Sequence, residues 1–358
     1  MAGVKRERIA VILFNLGGPD SLAAVYPFLL NLFSDPDILR MPGFLRWILA
    51  RVIARRRLEE AKKIYAQLGG GSPILPETRR QQEALEKEMQ DRGFENLRCF
   101  TVMRYSAPRA QEVILELQRF SPERIVLLPL YPQYSTTTTR SSLKEWRDLS
   151  SSSGLTADTH IVGCYFEQAD FIASHVAVIR AAAPQYYGDH GNHKALLLFS
   201  AHGLPQRIAD SGDPYPDQIR KTAVSIVTRL GLGADDWEIS YQSRVGPLKW
   251  LQPATEARLR AAGAAGRPVV LVPISFISEH SETLVELDIE LKHLAEMAGV
   301  PEYIRAPALG VQSDFIRGLA SLAGDALDLR DKAVLCGAPE AAKCCLSGER
   351  YFKDGLSD

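Results

Sequence analysis

Three short apolar runs, each ending in polar, Gly or Pro residues, occur twice along the chain in the same order, and no other feature narrows the fold as far. In the first half they are VILFNLGGP, FTVMRYSAP and RIVLLPLYPQYS; in the second, ALLLFSAHGLP, WEISYQSRVGP and PVVLVPISFISEH. Runs this rich in β-branched residues, alternating with segments of helical periodicity, predict α/β layers on a mostly parallel sheet. Their repetition predicts two similar lobes, because the repeat is far longer than a solenoid unit. Turn residues in AAAPQYYGDHGNHK, residues 181–194, mark the boundary. The expected division is therefore residues 1–185, residues 186–330 and a cysteine-bearing extension at 331–358, which opens on a last strand-like run, KAVLC.

In open parallel sheets a ligand sits beyond the carboxyl ends of the strands. Those ends carry Asn15, Arg104, Tyr105, Tyr131, His202, Tyr241 and His280, so two facing lobes would gather tyrosine, arginine and histidine in one cleft. The 358 residues are enough for such a pair. A net charge of −1 supplies no long-range field for nucleic acid. NLGGPDS lacks the G-x-G-x-x-G spacing and LGGGSP lacks the Lys-Ser/Thr of a phosphate loop, so no nucleotide is expected. The apolar run after the basic N-terminus, Ile9 to Phe14, is short and flows into a turn, which reads as a core strand and not as a signal peptide. Five cysteines, an odd number with Cys344 and Cys345 adjacent, argue against a secreted disulfide framework. A cytoplasmic protein is expected.

FISEHSETLVELDIEL, residues 276–291, sets Glu282, Glu286 and Glu290 four apart with no Lys or Arg among them. On a regular helix this row falls opposite an apolar stripe of Leu284, Leu287, Leu291 and Leu294. Two readings stand. The row is a solvated face, or it borders an enclosed site that holds cations or relays protons, since like charges at i,i+4 otherwise destabilise a helix by roughly 0.2 to 0.5 kcal/mol per pair. His202 in SAHGLP has a similar pair of readings, structural or catalytic, and its place at a strand end suits a proton acceptor or a metal ligand near neutral pH. LRWILARVIARRR, residues 45–57, is a basic amphipathic helix with a tryptophan, which fits either a membrane interface or core packing.

Seven strings in register, NLGGP, GGGSPI, MRYSAP, LPLYPQYS, SAHGLP, YQSRVGPLKWLQP and SEHSETLVELDIE, give the chain a resemblance to ferrochelatase over about residues 9 to 320. The resemblance implies two Rossmann-like, chelatase-like lobes, each a mostly parallel four-stranded type of sheet flanked by helices. It implies a lyase that inserts Fe2+ into protoporphyrin IX and releases two protons. By the same resemblance His202 and Glu282 are catalytic and meet the metal, Glu286 and Glu290 form an acidic relay behind them, and Leu16, Arg104, Tyr105, Tyr131 and Trp250 line the macrocycle pocket. Leu16 stands where the family often has methionine.

The residue types suit that chemistry in their own right, because histidine and carboxylate are competent bases and acceptable Fe2+ ligands. A non-catalytic porphyrin carrier, or a chelatase for another metal or for coproporphyrin, would use the same cleft; a carrier needs no acidic relay. Some ferrochelatases hold a 2Fe–2S cluster with four thiolates, and the resemblance implies Cys336, Cys344 and Cys345 with Cys164 as the fourth, in preference to Cys99. Animal members carry a cysteine directly after YPQYS, where this chain has Thr136. Peripheral contact with the inner membrane through residues 22–57 and a homodimer complete the expectations.

Overall fold

Residues Ile9–Asn15 form the first strand, β1, and are buried along its whole length, which an uninterrupted apolar run can satisfy only at the centre of a sheet covered on both faces. The structure, a computed structural model, describes residues 7–244, 246 and 248–329, together with the backbone of 334–336. Around β1 lie β2 (Leu97–Met103), β3 (Arg124–Pro129) and β4 (Asp158–Cys164), with β9 (Val334–Cys336) at the edge. Their order is β2-β1-β3-β4-β9, and every pairing is parallel.

A second sheet is made of β5 (Leu196–His202), β6 (Trp237–Gln242), β7 (Val269–Pro273) and β8 (Tyr303–Arg305) in the order β6-β5-β7-β8, again all parallel. The first four strands of each sheet thus follow one path: start centrally, step to one side, cross back, and step outward. The duplication read from strand endings is a duplication of topology. In both sheets the order reverses beside the first strand, between β1 and β3 and between β5 and β7, and such a switch point is where this architecture opens a crevice.

The chain divides into two compact units, residues 1–165 with 316–358, and residues 166–315. The divide falls ahead of the turn-rich stretch 181–194 because the helix Ala169–Ala182 belongs with the second sheet. Phe171 on it packs against Phe315 with ring centroids 6.3 Å apart, and the Thr222 hydroxyl donates to the Phe166 carbonyl. At the other end the chain returns to the first unit, where Arg124 donates to the Leu327 carbonyl.

Helices flank the sheets with the expected periodicity. On Ile74–Asp91 the buried residues Ile74, Thr78, Gln81, Leu85 and Met89 recur at three- and four-residue intervals. The acidic segment departs from that pattern. It is not one α-helix but an α turn at Ser281–Leu284, a wider π turn at Glu286–Leu291, and a second α segment at Lys292–Met297. The Glu290 amide donates to the Val285 carbonyl five residues back, at 3.0 Å. Leu287 and Leu291 are buried against Leu198 and Leu271 of the sheet, while Leu294 is only partly buried and Leu284 half-buried. No described helix is long and apolar enough to cross a membrane.

Candidate functional site

His202 is the last residue of β5, and the following turn can be made only with Gly203. A Cβ at Gly203 would lie 2.6 Å from the Gln242 carbonyl oxygen and 3.3 Å from Trp250 Cε3, so the missing side chain lets β6 and Trp250 close against the residue after the histidine. The backbone on either side is pinned: the Tyr215 hydroxyl donates to the His202 carbonyl at 3.1 Å, and the His202 amide donates to Ser275 Oγ at 3.1 Å. Phe276 presents its ring perpendicular to the imidazole at 6.2 Å.

The turn that begins after β7 brings Glu282 to this histidine. His202 Nδ1 lies 2.8 Å from Glu282 Oε2. A carboxylate can only accept, so Nδ1 carries the hydrogen and Nε2 is left for a ligand. His280 Nε2 stands 3.7 Å from the same carboxylate oxygen. His202 keeps 42% of its side chain accessible and Glu282 29%. Burial disfavours the imidazolium, yet the charge and hydrogen bond of Glu282, with Glu286 behind, outweigh it and raise the His202 pKa. For Glu282 burial acts the other way, and the two histidines overcome it, holding its carboxyl well below the usual carboxylate range.

Glu286 is half-buried and held by the end of β6. The Ser243 amide donates to its Oε1 at 2.7 Å, the Ser243 hydroxyl to its Oε2 at 2.5 Å, and Gln242 Nε2 to the same Oε2 at 3.1 Å. Ser243 reaches it from a left-handed backbone, φ 60°, a conformation that serine adopts rarely and that aims amide and hydroxyl together. Burial and the charge of Glu282 raise the Glu286 pKa, opposed by the Ser243 bonds and by His202. The third glutamate of the row, Glu290, is exposed. Among the described residues no set of three or more His, Cys, Asp or Glu is arranged to hold a metal ion.

In the first unit the expected residues meet at the ends of β1, β2 and β3. Leu16 is half-buried and its carbonyl accepts from the Tyr105 amide at 3.0 Å. Arg104 donates to Ser141 Oγ at 2.8 Å, Glu145 Oε1 at 3.0 Å and Asp35 Oδ2 at 2.9 Å, so its guanidinium is already engaged. Tyr105 is 1% exposed, its hydroxyl donating to Asp35 at 2.7 Å, and it therefore supports this network from inside the core without an open face. Tyr131 is half-buried, with its hydroxyl 3.5 Å from Ser142 Oγ and its pKa raised by burial.

Gln242, Ser243 and Asp35 were not singled out by sequence. The first two lie inside YQSRVGPLKWLQP, where a polar pair after a buried strand was the available signal. Asp35, in SDPD, carries no local mark of its three distant partners, Arg104, Tyr105 and Ser141. Of the cysteines, Cys164 is buried at the end of β4, where Cys336 on β9 is its backbone partner. Cys344 and Cys345 lie outside the described residues, as does the side chain of Cys336.

The family model described as Ferrochelatase matches residues 8–327. Ferrochelatase of Pelagibacter ubique is 48% identical over 314 residues, 87% of this chain and 90% of its own. Ferrochelatase of Phenylobacterium zucineum is 47% identical over 347 residues, 95% of this chain and 99% of its own. Among solved structures, SirB from Bacillus subtilis with Fe3+ superposes with a TM-score of 0.55 at 9% identity, covering 91% of this chain and 100% of that one, a likeness of fold alone.

Proposed function

The chain belongs to the ferrochelatase family, and from that premise we propose that His202, oriented by Glu282, takes a pyrrole proton while Glu282 and Glu286 attract the metal and Glu286 receives the second proton. The activity is that of a metal chelatase, a lyase: Fe2+ enters a porphyrin, two pyrrole N–H protons leave, and protohaem results. Charge balances only if two protons depart as the dication bonds the ring nitrogens. The carrying observation is the 2.8 Å contact between Nδ1 and Glu282, which leaves Nε2 as the free base and stabilises the imidazolium it becomes. Trp250, packed over Gly203 next to the histidine, supports a flat apolar ligand there. Leu16, Arg104 and Tyr131 are proposed for the macrocycle at the first unit's strand ends, with Tyr105 acting through Asp35. Glu290, exposed, is proposed only as an outer stop for the cation. In zinc insertion into protoporphyrin, His202→Ala loses at least ~100-fold in rate; a variant at the wild-type rate removes the base.

Peripheral contact through residues 22–57, in the cytoplasm against the inner membrane, is part of the proposal. It is supported by the helix Gly43–Gln67, where Phe44, Trp47 and Ile48 are exposed with Arg51 lying 3.7 Å over the Trp47 ring. Trp47→Ser with Ile48→Ser abolishes flotation with anionic vesicles, and unchanged flotation refutes the contact. Sedimentation velocity tests the accompanying homodimer.

A 2Fe–2S cluster on Cys164, Cys336, Cys344 and Cys345 is proposed from the strand register. Adjacent strands are ~4.8 Å apart, so Cys164 and Cys336 start within reach of one cluster, whereas Cys99 sits on the opposite edge of the sheet, about 19 Å away. When bound, the cluster would supply a one-electron centre and tie the end of the chain to β4. Visible absorption with stoichiometric iron and acid-labile sulfide, lost in Cys164→Ser, is the expected result; protein without iron and sulfide as purified ends this part.

A further inference from the structure

Beneath the acidic pair runs a file of buried hydroxyls that the reading above does not use. Ser200 on β5, Ser240 on β6 and Thr255, at the start of the helix Thr255–Ala264, are fully buried, and Gln242 nearly so. Ser200 donates to Gln242 Oε1 at 2.6 Å and lies 3.1 Å from Thr255 Oγ1. Thr255 Oγ1 is also within 3.0 Å of Ser240 Oγ, and Ser240 gives its own hydrogen to the Phe199 carbonyl.

Each hydroxyl has one hydrogen, and this fixes the direction of the file. Gln242 Oε1 only accepts, so the Ser200 hydrogen goes there. In the contact with Thr255 the threonine must therefore be the donor, sharing its hydrogen between Ser200 and Ser240. At the far end of the amide, Gln242 Nε2 donates to the Glu282 carbonyl at 2.9 Å and to Glu286 Oε2 at 3.1 Å. Those two acceptors sit on either side of the place where the α turn widens. A flipped amide would face two oxygens with an oxygen at one end and lose its Ser200 donor at the other.

We propose that the Thr255–Ser200 hydroxyl pair is a positioning device that locks the Gln242 amide and, through it, the joint carrying Glu282 and Glu286. Both hydroxyls are fully buried. A strand interior and a helix start that needed only packing would hold alanine and valine, since a buried hydroxyl is tolerated only with its partners made. The inference rests on the proposal that Glu282 and Glu286 act in the reaction.

The test is a set of variants of the full chain assayed for zinc insertion into protoporphyrin, with thermal unfolding measured beside it. Thr255→Val keeps the shape and removes the hydroxyl; Thr255→Ser keeps the hydroxyl and removes a methyl. Positioning predicts that Thr255→Val lowers kcat about three- to tenfold with KM for porphyrin unchanged, and that Thr255→Ser restores it. Packing alone predicts the reverse order. Ser200→Ala gives the same fall in kcat, and it carries the test should Thr255→Val not fold. In a Gln242→Met background, adding Thr255→Val costs nothing further in kcat, because the message has already been cut. Wild-type kcat in both Thr255→Val and Ser200→Ala, or equal loss in Thr255→Ser and Thr255→Val, overturns the proposal. Glu286→Gln run alongside separates the two failures. At the wild-type rate it sinks the role of the acidic pair; impaired while the hydroxyl variants are not, it sinks the positioning device alone.

Discussion

Glu282→Gln isolates what the carboxylate charge contributes to His202. Glutamine retains an oxygen that accepts the Nδ1 hydrogen, so the imidazole keeps its orientation and Nε2 its direction, and only the charge is lost. A hydrogen bond to a charged group contributes about 1.5–3 kcal/mol against about 0.5–1.5 for a neutral one. The difference, about 1–1.5 kcal/mol, is reduced to roughly 0.7–1 because the two side chains remain 42% and 29% accessible and water screens them. At 1.36 kcal/mol per unit this is about half to three-quarters of a pH unit. The direction follows from the opposing causes: burial lowers the His202 pKa and Glu282 raises it, so without the charge the titration moves down. With the neutral imidazole as the proposed base, the acid limb of the rate profile moves to lower pH by that amount. Above the limb the rate falls about threefold, because the base is weaker.

Stability carries a second signature. The raised histidine stabilises the fold below its unfolded value of 6.5 and loses that as pH rises through its folded value. The depressed carboxyl stabilises above 4.5 and loses that as pH falls through its own. The deficit of Glu282→Gln is thus greatest between 4.5 and 6.5 and shrinks on both sides. Zinc insertion over a pH series and an NMR titration of the His202 ring supply the data. An acid limb that stays in place or moves to higher pH refutes the argument.

His175, buried on the helix Ala169–Ala182 with neither ring nitrogen hydrogen-bonded, has its pKa pushed down to about 3 by burial. The unfolded chain therefore binds the extra proton, and stability drops by about 1.4 kcal/mol per pH unit from 6.5 towards 3 through this group; urea midpoints for His175→Phe show a shallower slope. Asp35→Asn leaves Arg104 and Tyr105 without their buried carboxylate and costs about 3 kcal/mol in urea unfolding. A loss under 1 kcal/mol would mean that Glu145 alone suffices for Arg104. Gly203→Ala drives a methyl into the Gln242 carbonyl, costs about 1–3 kcal/mol, and lowers porphyrin affinity in a fluorescence titration.

Sequence reached the central strands because their signal is local. The six strand endings named from the chain belong to β1, β2, β3, β5, β6 and β7, and their shared order appears as shared topology. β4 and β8 escaped, the first because it follows a serine-rich loop and mixes His160 and Gly163 into its run, the second because three residues carry no period. His202 and Glu282 were legible as a strand end and an unneutralised acidic row. Their partners were not. Gln242, Ser243 and Asp35 act across 40 to 106 residues of separation, and nothing in a linear string marks a hydrogen bond of that span. The regular helix inferred for the glutamate row of residues 276–291 failed for a related reason: the widening is supported by a side chain on another strand.

The wide turn at Glu286–Leu291 has the arithmetic of a frameshift. One surplus residue is absorbed inside a helix, so side chains before and after it are read in different phases, and Leu287 and Leu291 can stay inward while the carboxylate at 286 faces Ser243 instead of water. Excising a single residue there would return the segment to ordinary pitch, with later side chains keeping their faces and only those of the wide turn itself redirected. In a surface loop such a deletion is tolerated; here it would part the Glu286 carboxylate from Ser243 while leaving composition and charge pattern nearly intact.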